Sequence, residues 1–176
     1  MKSIKTEAIL DKKQEDLYKR ILGYRYSLLY TLGCKTGLRI SDLLHIPTVN
    51  LTKTSFLVTE GKTGTKRTVR IGQGLKNDLK RIAGHTYIFE SPVLTGKPLS
   101  RQAVWKRFKQ AAEKAGISDK LIIGTHSMRK NYACNAFLKD LNIGKLRDKM
   151  AHKYESTSFD YIQQLFKTIG FLPNQS

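Results

Sequence analysis

Two arginines and a histidine in this chain have the types and the spacing needed to hold a phosphate group. Arg39 lies in the stretch TGLRISD, whereas His126 and Arg129 lie three residues apart in THSMRKNYA. A guanidinium group is planar and always charged, so it can hold two phosphate oxygens through paired hydrogen bonds. A helix beginning near Thr125 would add free backbone N–H groups for an anion. Arg39 and Arg129 are thus the candidates to stabilise the negative charge of a phosphodiester under attack. Asp42, one turn after Arg39, is predicted to be a structural partner that holds Arg39 or another basic group.

Tyr161, in the stretch SFDYIQ, is the candidate nucleophile. A phenol keeps its proton at neutral pH and needs a neighbouring base or a positive field to lose it. A nearby imidazole and the field of the two arginines would supply both. The predicted chemistry is therefore attack of a tyrosine oxygen on a phosphodiester.

Five stretches, in this order, resemble the tyrosine recombinase, or phage integrase, family. They are TGLRISD with Arg39, EGKTGTKRTVRI with Lys62, THSMRKNYA with His126 and Arg129, MAHKYES with His152, and SFDYIQ with Tyr161. The family pattern is an arginine, a lysine in a hairpin turn, His-x-x-Arg, a histidine or tryptophan, and then a tyrosine. Each position carries the expected residue type, over about residues 17–167. One departure is Ala151, which stands where the family usually has glycine.

The resemblance implies a role for each of these residues in cutting DNA. Tyr161 would attack the scissile phosphate, and His126 would be the general base that receives its proton. Lys62 would be the general acid for the departing 5′ oxygen, and His152 would donate a hydrogen bond to the phosphate. The product would be a 3′-phosphotyrosyl link that keeps the bond energy, so rejoining would need no ATP. No metal-ligand set is apparent in the sequence, and no cofactor is expected.

Two of these assignments have competitors nearby in the sequence. Lys66 and Arg67 lie close to Lys62, and all three could form a solvated face that contacts phosphates. The family position favours Lys62 as the acid. Tyr154 competes with Tyr161, but it follows the preceding histidine too closely to match the family spacing.

The composition favours a nucleic acid as the partner. The chain has 32 Lys and Arg against 14 Asp and Glu, a net charge of +18. Such an excess predicts attraction to a polyanion, and by charge alone RNA, ribosomes or anionic lipid would also fit. No stretch of about 18 apolar residues and no signal peptide are found, so no membrane span is expected and the cytoplasm, near the nucleoid, is the predicted location. The resemblance adds double-stranded DNA as the partner and a tetrameric assembly of the chain on it.

Basic residues in two regions are candidate DNA contacts, although each group could also be an ordinary solvated face. Family resemblance suggests that the predicted helix over 100–115 approaches DNA. Trp105 on this helix is predicted to pack inside, with contact to DNA as the lesser alternative. The candidates are Lys66, Arg67, Arg101, Lys106, Arg107 and Lys109.

The elements that must position these residues are predicted to be mostly helices with one small hairpin. Apolar periodicity predicts helices over 13–36, 39–45, 74–83, 100–115, 125–138, 143–151 and 156–169, and strands over 55–59 and 67–71. The fold class is therefore mainly α with a small antiparallel β-sheet (α+β), which the resemblance makes a tyrosine recombinase catalytic domain. One such domain is expected over 1–176, without the family's N-terminal core-binding domain.

The apolar tail of this domain, about 168–176, is expected to pack in cis or on a neighbouring protomer. Cys34 and Cys134 are predicted to be buried thiols, with a disulfide left open.

Three functions stay open from the sequence. The first is a site-specific recombinase or integrase, of a phage or mobile element. The second is a non-catalytic DNA-binding module of the same fold, against which the intact set of six residues argues. The third is a type IB topoisomerase-like enzyme, which relaxation of supercoiled plasmid without a specific site would favour.

Overall fold

The computed structural model describes residues 6–168 and 170, which form a mainly helical domain with one β hairpin. The elements are α1 (Lys12–Leu22), α2 (Tyr24–Thr36), α3 (Ile40–Leu44), a 3₁₀-helix (Thr48–Thr52), β1 (Ser55–Thr59), β2 (Lys66–Arg70), α4 (Gln73–Ile82), α5 (Arg101–Lys114), α6 (Ser127–Asp140), α7 (Ile143–Met150) and α8 (Glu155–Thr168). This confirms the predicted fold class. Within these residues no helix has the length and apolar character needed to cross a membrane.

The predicted helix over 13–36 is wrong, because the chain breaks it at Gly23. Gly23 has φ of +78°, a backbone conformation that L side chains rarely adopt. The free carbonyls at the end of α1 are satisfied from α5, since Arg107 Nη2 donates to Leu22 O at 2.9 Å and to Ile21 O at 3.0 Å. A side chain distant in sequence therefore stabilises the end of α1.

The hairpin is present as predicted, with β2 starting and ending one residue before the predicted 67–71. The strands are antiparallel, and Thr59 pairs with Lys66 at the closed end. Gly64 in the turn has φ of +67°, as a tight turn requires of glycine. The turn leaves Lys62 exposed to solvent.

The other predicted helices are found with ends displaced by one or two residues. Ser100 caps α5, because its Oγ accepts a hydrogen bond from Ala103 N at 3.0 Å. Beyond α8, residue 169 and residues 171–176 lie outside the described part of the chain. Packing of the apolar tail in cis or in trans therefore stays a prediction.

Two apolar clusters hold the helices together. The larger one includes the rings of Tyr18, Tyr30 and Phe108, which contact one another edge to face. The smaller one joins α6, α7 and α8 and consists of Ala8, Ala133, Cys134, Leu146, Met150, Ile162 and Leu165. It fixes α8, which carries Tyr161, against α6. Both cysteines are free, Cys134 buried and Cys34 partly so.

The segment 6–10, which the sequence patterns left unassigned, runs between α6 and α8. Asn131 on α6 brackets Ile9, accepting from its N at 2.8 Å and donating to its O at 3.1 Å. Gln164 on α8 brackets Ala8 in the same way, at 2.7 and 3.0 Å. The segment therefore ties the helix of the candidate nucleophile to the rest of the domain.

Asn131→Ala is expected to destabilise the fold by about 3 kcal/mol. The change removes the partner of both backbone groups of buried Ile9, and it also removes the hydrogen bond that Asn131 donates to the hydroxyl of Tyr30 at 3.0 Å. Denaturant unfolding measures the loss. Asn135→Ala, at an exposed position of the same helix, should change stability by less than about 0.5 kcal/mol. Equal stabilities of the two variants would contradict the bracketing role.

Candidate active site

Arg129 is almost fully buried and joins the segments that carry the other candidate residues. Its side chain is 1% exposed. Nη1 donates to Gly37 O, and Nη2 donates to Met150 O at 2.6 Å. Gly37 lies two residues before Arg39, and Met150 two residues before His152. One guanidinium group thus anchors both segments, while its Nε has no hydrogen-bond partner within residues 6–168 and 170.

A buried carboxylate that the sequence reasoning missed lies among three arginines. Glu60, directly after β1, has a side chain that is 0% exposed. Its Oε2 accepts a hydrogen bond from Arg39 Nη1, and its Oε1 accepts one from Arg67 Nη1 at 2.9 Å. Nη1 of Arg129 lies 3.9 Å from Oε1. The carboxylate therefore connects the two candidate phosphate-binding arginines.

The predicted role of Asp42 as the partner of a basic group is wrong. Its Oδ1 accepts a hydrogen bond from the backbone N of Gly61 at 3.1 Å, and Arg39 pairs with Glu60 instead. Asp42 is buried because α3 packs beside the base of the hairpin turn. It therefore ties α3 to the residue next to Lys62.

Tyr161 and His152 meet beside Arg129. The rings of His152 and Tyr161 have centroids 5.0 Å apart, and the guanidinium carbon of Arg129 lies 5.9 Å from the centroid of the Tyr161 ring. His152 Nε2 lies 3.4 Å from Arg129 Nη2, and its Nδ1 lies 2.9 Å from the Oγ of Ser158. Ser158 is buried on α8, three residues before Tyr161, and the sequence reasoning did not single it out.

Ala151, the departure from the family pattern, has a left-handed backbone. It ends α7 with φ of +52° and ψ of +44°. This conformation costs an L residue about 1 kcal/mol and costs glycine little, which explains a glycine at this position. The turn nevertheless forms here and leads the chain from Met150 to His152.

The positive field of the cluster favours neutral histidines. Burial, with added repulsion from Arg129 and Arg39, lowers the pKa of His152 to about 4. Partial burial, Arg129 and then Arg101 lower the pKa of His126. Both imidazoles are therefore neutral at pH 7, and His126 is able to accept a proton. His126 precedes α6, which begins two residues after the predicted start.

Lys62 stands apart from this grouping. It lines an open cavity of about 530 Å³ that it shares with Ser41, Asp42 and Asn50. Within the described part of the chain, it makes no hydrogen bond or ion pair with a candidate catalytic residue. The structure thus brings together Arg39, Arg129, His152 and Tyr161, places His126 within their electrostatic field, and leaves Lys62 on the exposed turn.

The six candidate DNA contacts divide into two groups. The first group has side chains exposed to solvent and consists of Lys66, Arg101, Lys106 and Lys109. The side chains of the second group, Arg67 and Arg107, have partners within the protein. Arg67 pairs with Glu60 and also donates to Thr36 O at 2.9 Å, and Arg107 donates to carbonyls at the end of α1. The prediction that Trp105 packs inside is wrong, because this residue is 50% exposed with Lys109 Nζ 5.2 Å from its ring centroid.

Ser158→Ala is expected to slow about tenfold the DNA cleavage that the family resemblance implies. The hydroxyl is the partner of His152 Nδ1, and losing one hydrogen bond that orients a functional ring costs about 1 kcal/mol or more. Single-turnover cleavage measures the effect. Ser156→Ala, on the exposed side of the same helix, is the matched control and should cleave at the rate of the unmodified chain. Equal rates for both variants would remove Ser158 from the site.

The fold and the grouping of two arginines, a histidine and a tyrosine define the catalytic domain of a tyrosine recombinase. Residues 3–168 match the model of the phage integrase family, and the chain belongs to that family.

Relatives and solved structures agree with this assignment. The probable integrase/recombinase YoeC of Bacillus subtilis (strain 168) is 31% identical over 161 residues, covering 89% of this chain and 85% of YoeC. The tyrosine recombinase XerD of Staphylococcus aureus (strain Mu50) is 28% identical over 168 residues. That match covers 89% of this chain but 56% of XerD, so the chain spans little more than half the length of this relative. The fold is similar to part of the structure of lambda integrase (residues 75–356) bound to DNA, with a TM-score of 0.73 at 20% identity, covering 99% of this chain and 66% of that one.

Proposed function

We propose that this chain cuts and rejoins DNA strands at a specific site through a 3′-phosphotyrosyl intermediate. The observation that carries the proposal is the meeting of Tyr161, His152 and Arg129, with Glu60 linking Arg129 to Arg39. A nucleophile, a neutral imidazole and two guanidinium groups are the parts needed for in-line attack on a phosphodiester.

The arginines would stabilise the negative charge of the scissile phosphate in two ways. Arg39 uses Nη1 on Glu60, and its side chain is 17% exposed, so its remaining N–H groups are available to the non-bridging oxygens. Arg129 is 1% exposed and donates to two backbone carbonyls, so it acts on the phosphate through its charge and by anchoring the segments of Arg39 and His152. Donors fixed before the substrate arrives stabilise developing charge without reorganisation, which favours the transition state over the bound substrate.

Proton transfer would involve the two residues at the edge of the cluster. The oxygen of Tyr161 forms a bond to phosphorus while the bond from phosphorus to the 5′ oxygen breaks. His126, neutral because of its lowered pKa, receives the phenol proton. Lys62, on the exposed turn that Asp42 anchors at Gly61, gives a proton to the departing oxygen once DNA is bound. His152 donates from Nε2 to the phosphate in the tautomer in which Ser158 donates to its Nδ1, and this replaces the 3.4 Å contact of Nε2 with Arg129 Nη2. Rejoining is the reverse of these steps on a new 5′ hydroxyl, with no ATP and no cofactor.

Exposed basic residues of the hairpin and of α5 would bind the duplex backbone. These are Lys66 on the hairpin and Arg101, Lys106 and Lys109 on α5. Arg67 and Arg107 are left out of this proposed surface because their guanidinium groups have internal partners. Assembly of four copies around two duplexes is proposed from family membership.

Covalent trapping on DNA tests the proposal. A library of random duplexes, each with a nick close to its centre, is mixed with the chain, because cleavage beside a nick releases a short strand and traps the adduct. Recombinase function predicts a band that survives denaturing gels and carries a shared sequence. Relaxation of supercoiled plasmid with no preferred sequence would instead favour topoisomerase-like activity, and specific binding without any adduct would favour a non-catalytic DNA-binding module.

A further inference from the structure

A fully buried carboxylate is unusual in a site that must bind an anion. Glu60 occupies the centre of the arginine cluster, with one oxygen on Arg39 and the other on Arg67. Burying a carboxylate is costly unless it is paired, and here both oxygens are paired. In the proposed reaction no proton or bond change falls on it.

We propose that Glu60 is a positioning residue for strand cleavage, which fixes the guanidinium group of Arg39 and sets the charge of the phosphate-binding cluster. This inference rests on the proposed recombinase function. It gives Glu60 an indirect role, because the carboxylate acts through Arg39 and contacts no reacting atom.

The first part of the argument is geometric. Glu60 lies at the end of β1, whereas Arg39 precedes α3 and Arg67 lies on β2. Hydrogen bonds from both arginines join these three elements through one carboxylate. Because Nη1 of Arg39 is held from the protein side, the opposite edge of its guanidinium group points away from Glu60. A planar group held along one edge presents its other donors in a fixed direction, which is the condition for paired hydrogen bonds to a phosphate.

The second part is electrostatic. Arg39, Arg67 and Arg129 carry three positive charges, and Glu60 removes one, so the cluster has a net charge of +2. Without Glu60 the net charge would be +3, and the cluster would bind any anion more tightly. The slower cleavage expected of a Glu60 variant therefore comes from the lost orientation of Arg39 and not from the change in charge.

The variant Glu60→Gln separates these effects from a purely structural role. Glutamine keeps the shape but offers one acceptor oxygen and a donor NH₂, so one of the two arginines loses its partner and the cluster gains a positive charge. We expect tighter anion binding together with slower cleavage. A residue that only stabilised the fold would weaken both binding and cleavage when replaced.

The probe for binding is inorganic sulfate, followed by the ¹⁵N NMR signal of Arg129 Nε, which is assigned by its disappearance in Arg129→Lys. A side-chain signal reports on this site alone, although a chain of charge +18 binds sulfate elsewhere too. Glu60→Gln is expected to bind sulfate about three- to tenfold more tightly. The rate at which Glu60→Gln cleaves the nicked duplex found by trapping, in a single turnover at saturating DNA, is expected to fall about 100-fold.

Two further variants complete the test. Glu90→Gln is the matched control, because Glu90 is also buried but its carboxylate accepts from the backbone N–H groups of Thr86, Tyr87 and Gly96 and, among the described residues, from no arginine side chain. It should lower stability without changing sulfate affinity or cleavage rate. Glu60→Asp keeps the negative charge but has a shorter side chain. It should retain sulfate affinity within about twofold and still cleave slowly. If Glu60→Gln does not fold, Glu60→Asp alone tests the positioning role.

The outcomes separate this inference from the proposed function. Sulfate affinity and cleavage that fall together in Glu60→Gln, or rates equal to the unmodified chain in both Glu60 variants, would overturn the role of Glu60. Failure of the unmodified chain to form any adduct would instead remove the recombinase proposal.

Discussion

Tyr161→Phe is expected to abolish the covalent adduct with DNA while leaving DNA binding within about twofold of the unmodified chain. Only the phenol oxygen is lost, because the phenylalanine ring still packs beside His152 and against the smaller apolar cluster. The oxygen is the atom that would bond to phosphorus, so no residual adduct is expected. Trapping on nicked duplexes measures the adduct, and a gel-shift titration measures binding.

The control for this variant is Tyr154→Phe. Tyr154 is 58% exposed and its ring contacts Lys153, away from the cluster. Its variant should form the adduct at the ordinary rate. An adduct that persists in Tyr161→Phe and disappears in Tyr154→Phe would show that the nucleophile was assigned to the wrong tyrosine.

Arg129→Lys is expected to slow cleavage about 1,000-fold and to lower the free energy of unfolding by about 3 kcal/mol. Lysine keeps the charge but lacks the planar fork, so it cannot hold Gly37 O and Met150 O at the same time. The segments that carry Arg39 and His152 then lose their common anchor. Single-turnover cleavage and denaturant unfolding measure the two effects.

Arg81→Lys controls for the loss of a guanidinium group in general. Arg81 has a side chain that is 73% exposed, and it pairs only loosely with Asp78, at 3.4 Å. Neither cleavage nor stability should change measurably in this variant. Normal cleavage by Arg129→Lys would mean that a point charge suffices at this position and that the fork geometry has no catalytic role.

Elements whose signals are local were predictable from the sequence. The predicted end of a helix at residue 36 is correct, because Gly37 follows with φ of +65°, where any side chain would also overlap the ring of Tyr132. The hairpin was predicted from two short strands and a Gly-containing turn, and its observed ends differ by no more than one residue. The predicted start of a helix near residue 100 is also correct within one residue, and Ser100 caps α5 there.

The break between α1 and α2 was not predictable from periodicity. The apolar pattern runs on across Gly23, yet Leu17 and Tyr24 on that stripe are 37% and 52% exposed. The end of α1 depends on Arg107, which lies on α5 and is far away in sequence. Tertiary hydrogen bonds of this kind leave no trace in local spacing.

Glu60 and Ser158 were also missed because their partners lie in other segments of the chain. All six candidate catalytic residues came from short motifs, whereas Glu60 and Ser158 act through partners in other segments. A signal for Glu60 was present, since it is one acid in a stretch with four basic residues, Lys62, Lys66, Arg67 and Arg70. An acidic side chain at the end of an apolar strand in such a stretch is a candidate counter-ion. Asp42, in contrast, was assigned to the wrong partner because a backbone N–H group competes equally well for a carboxylate.

The central claim is that the phenol of Tyr161 and the guanidinium groups of Arg39 and Arg129 act on one phosphorus atom. The most direct measurement is mass spectrometry of the trapped adduct after digestion with nuclease and protease. The account predicts a peptide in which Tyr161 carries a nucleotide through its 3′ phosphate, and a released strand that ends in a 5′ hydroxyl. A nucleotide on any other residue, or a link through a 5′ phosphate, would contradict it.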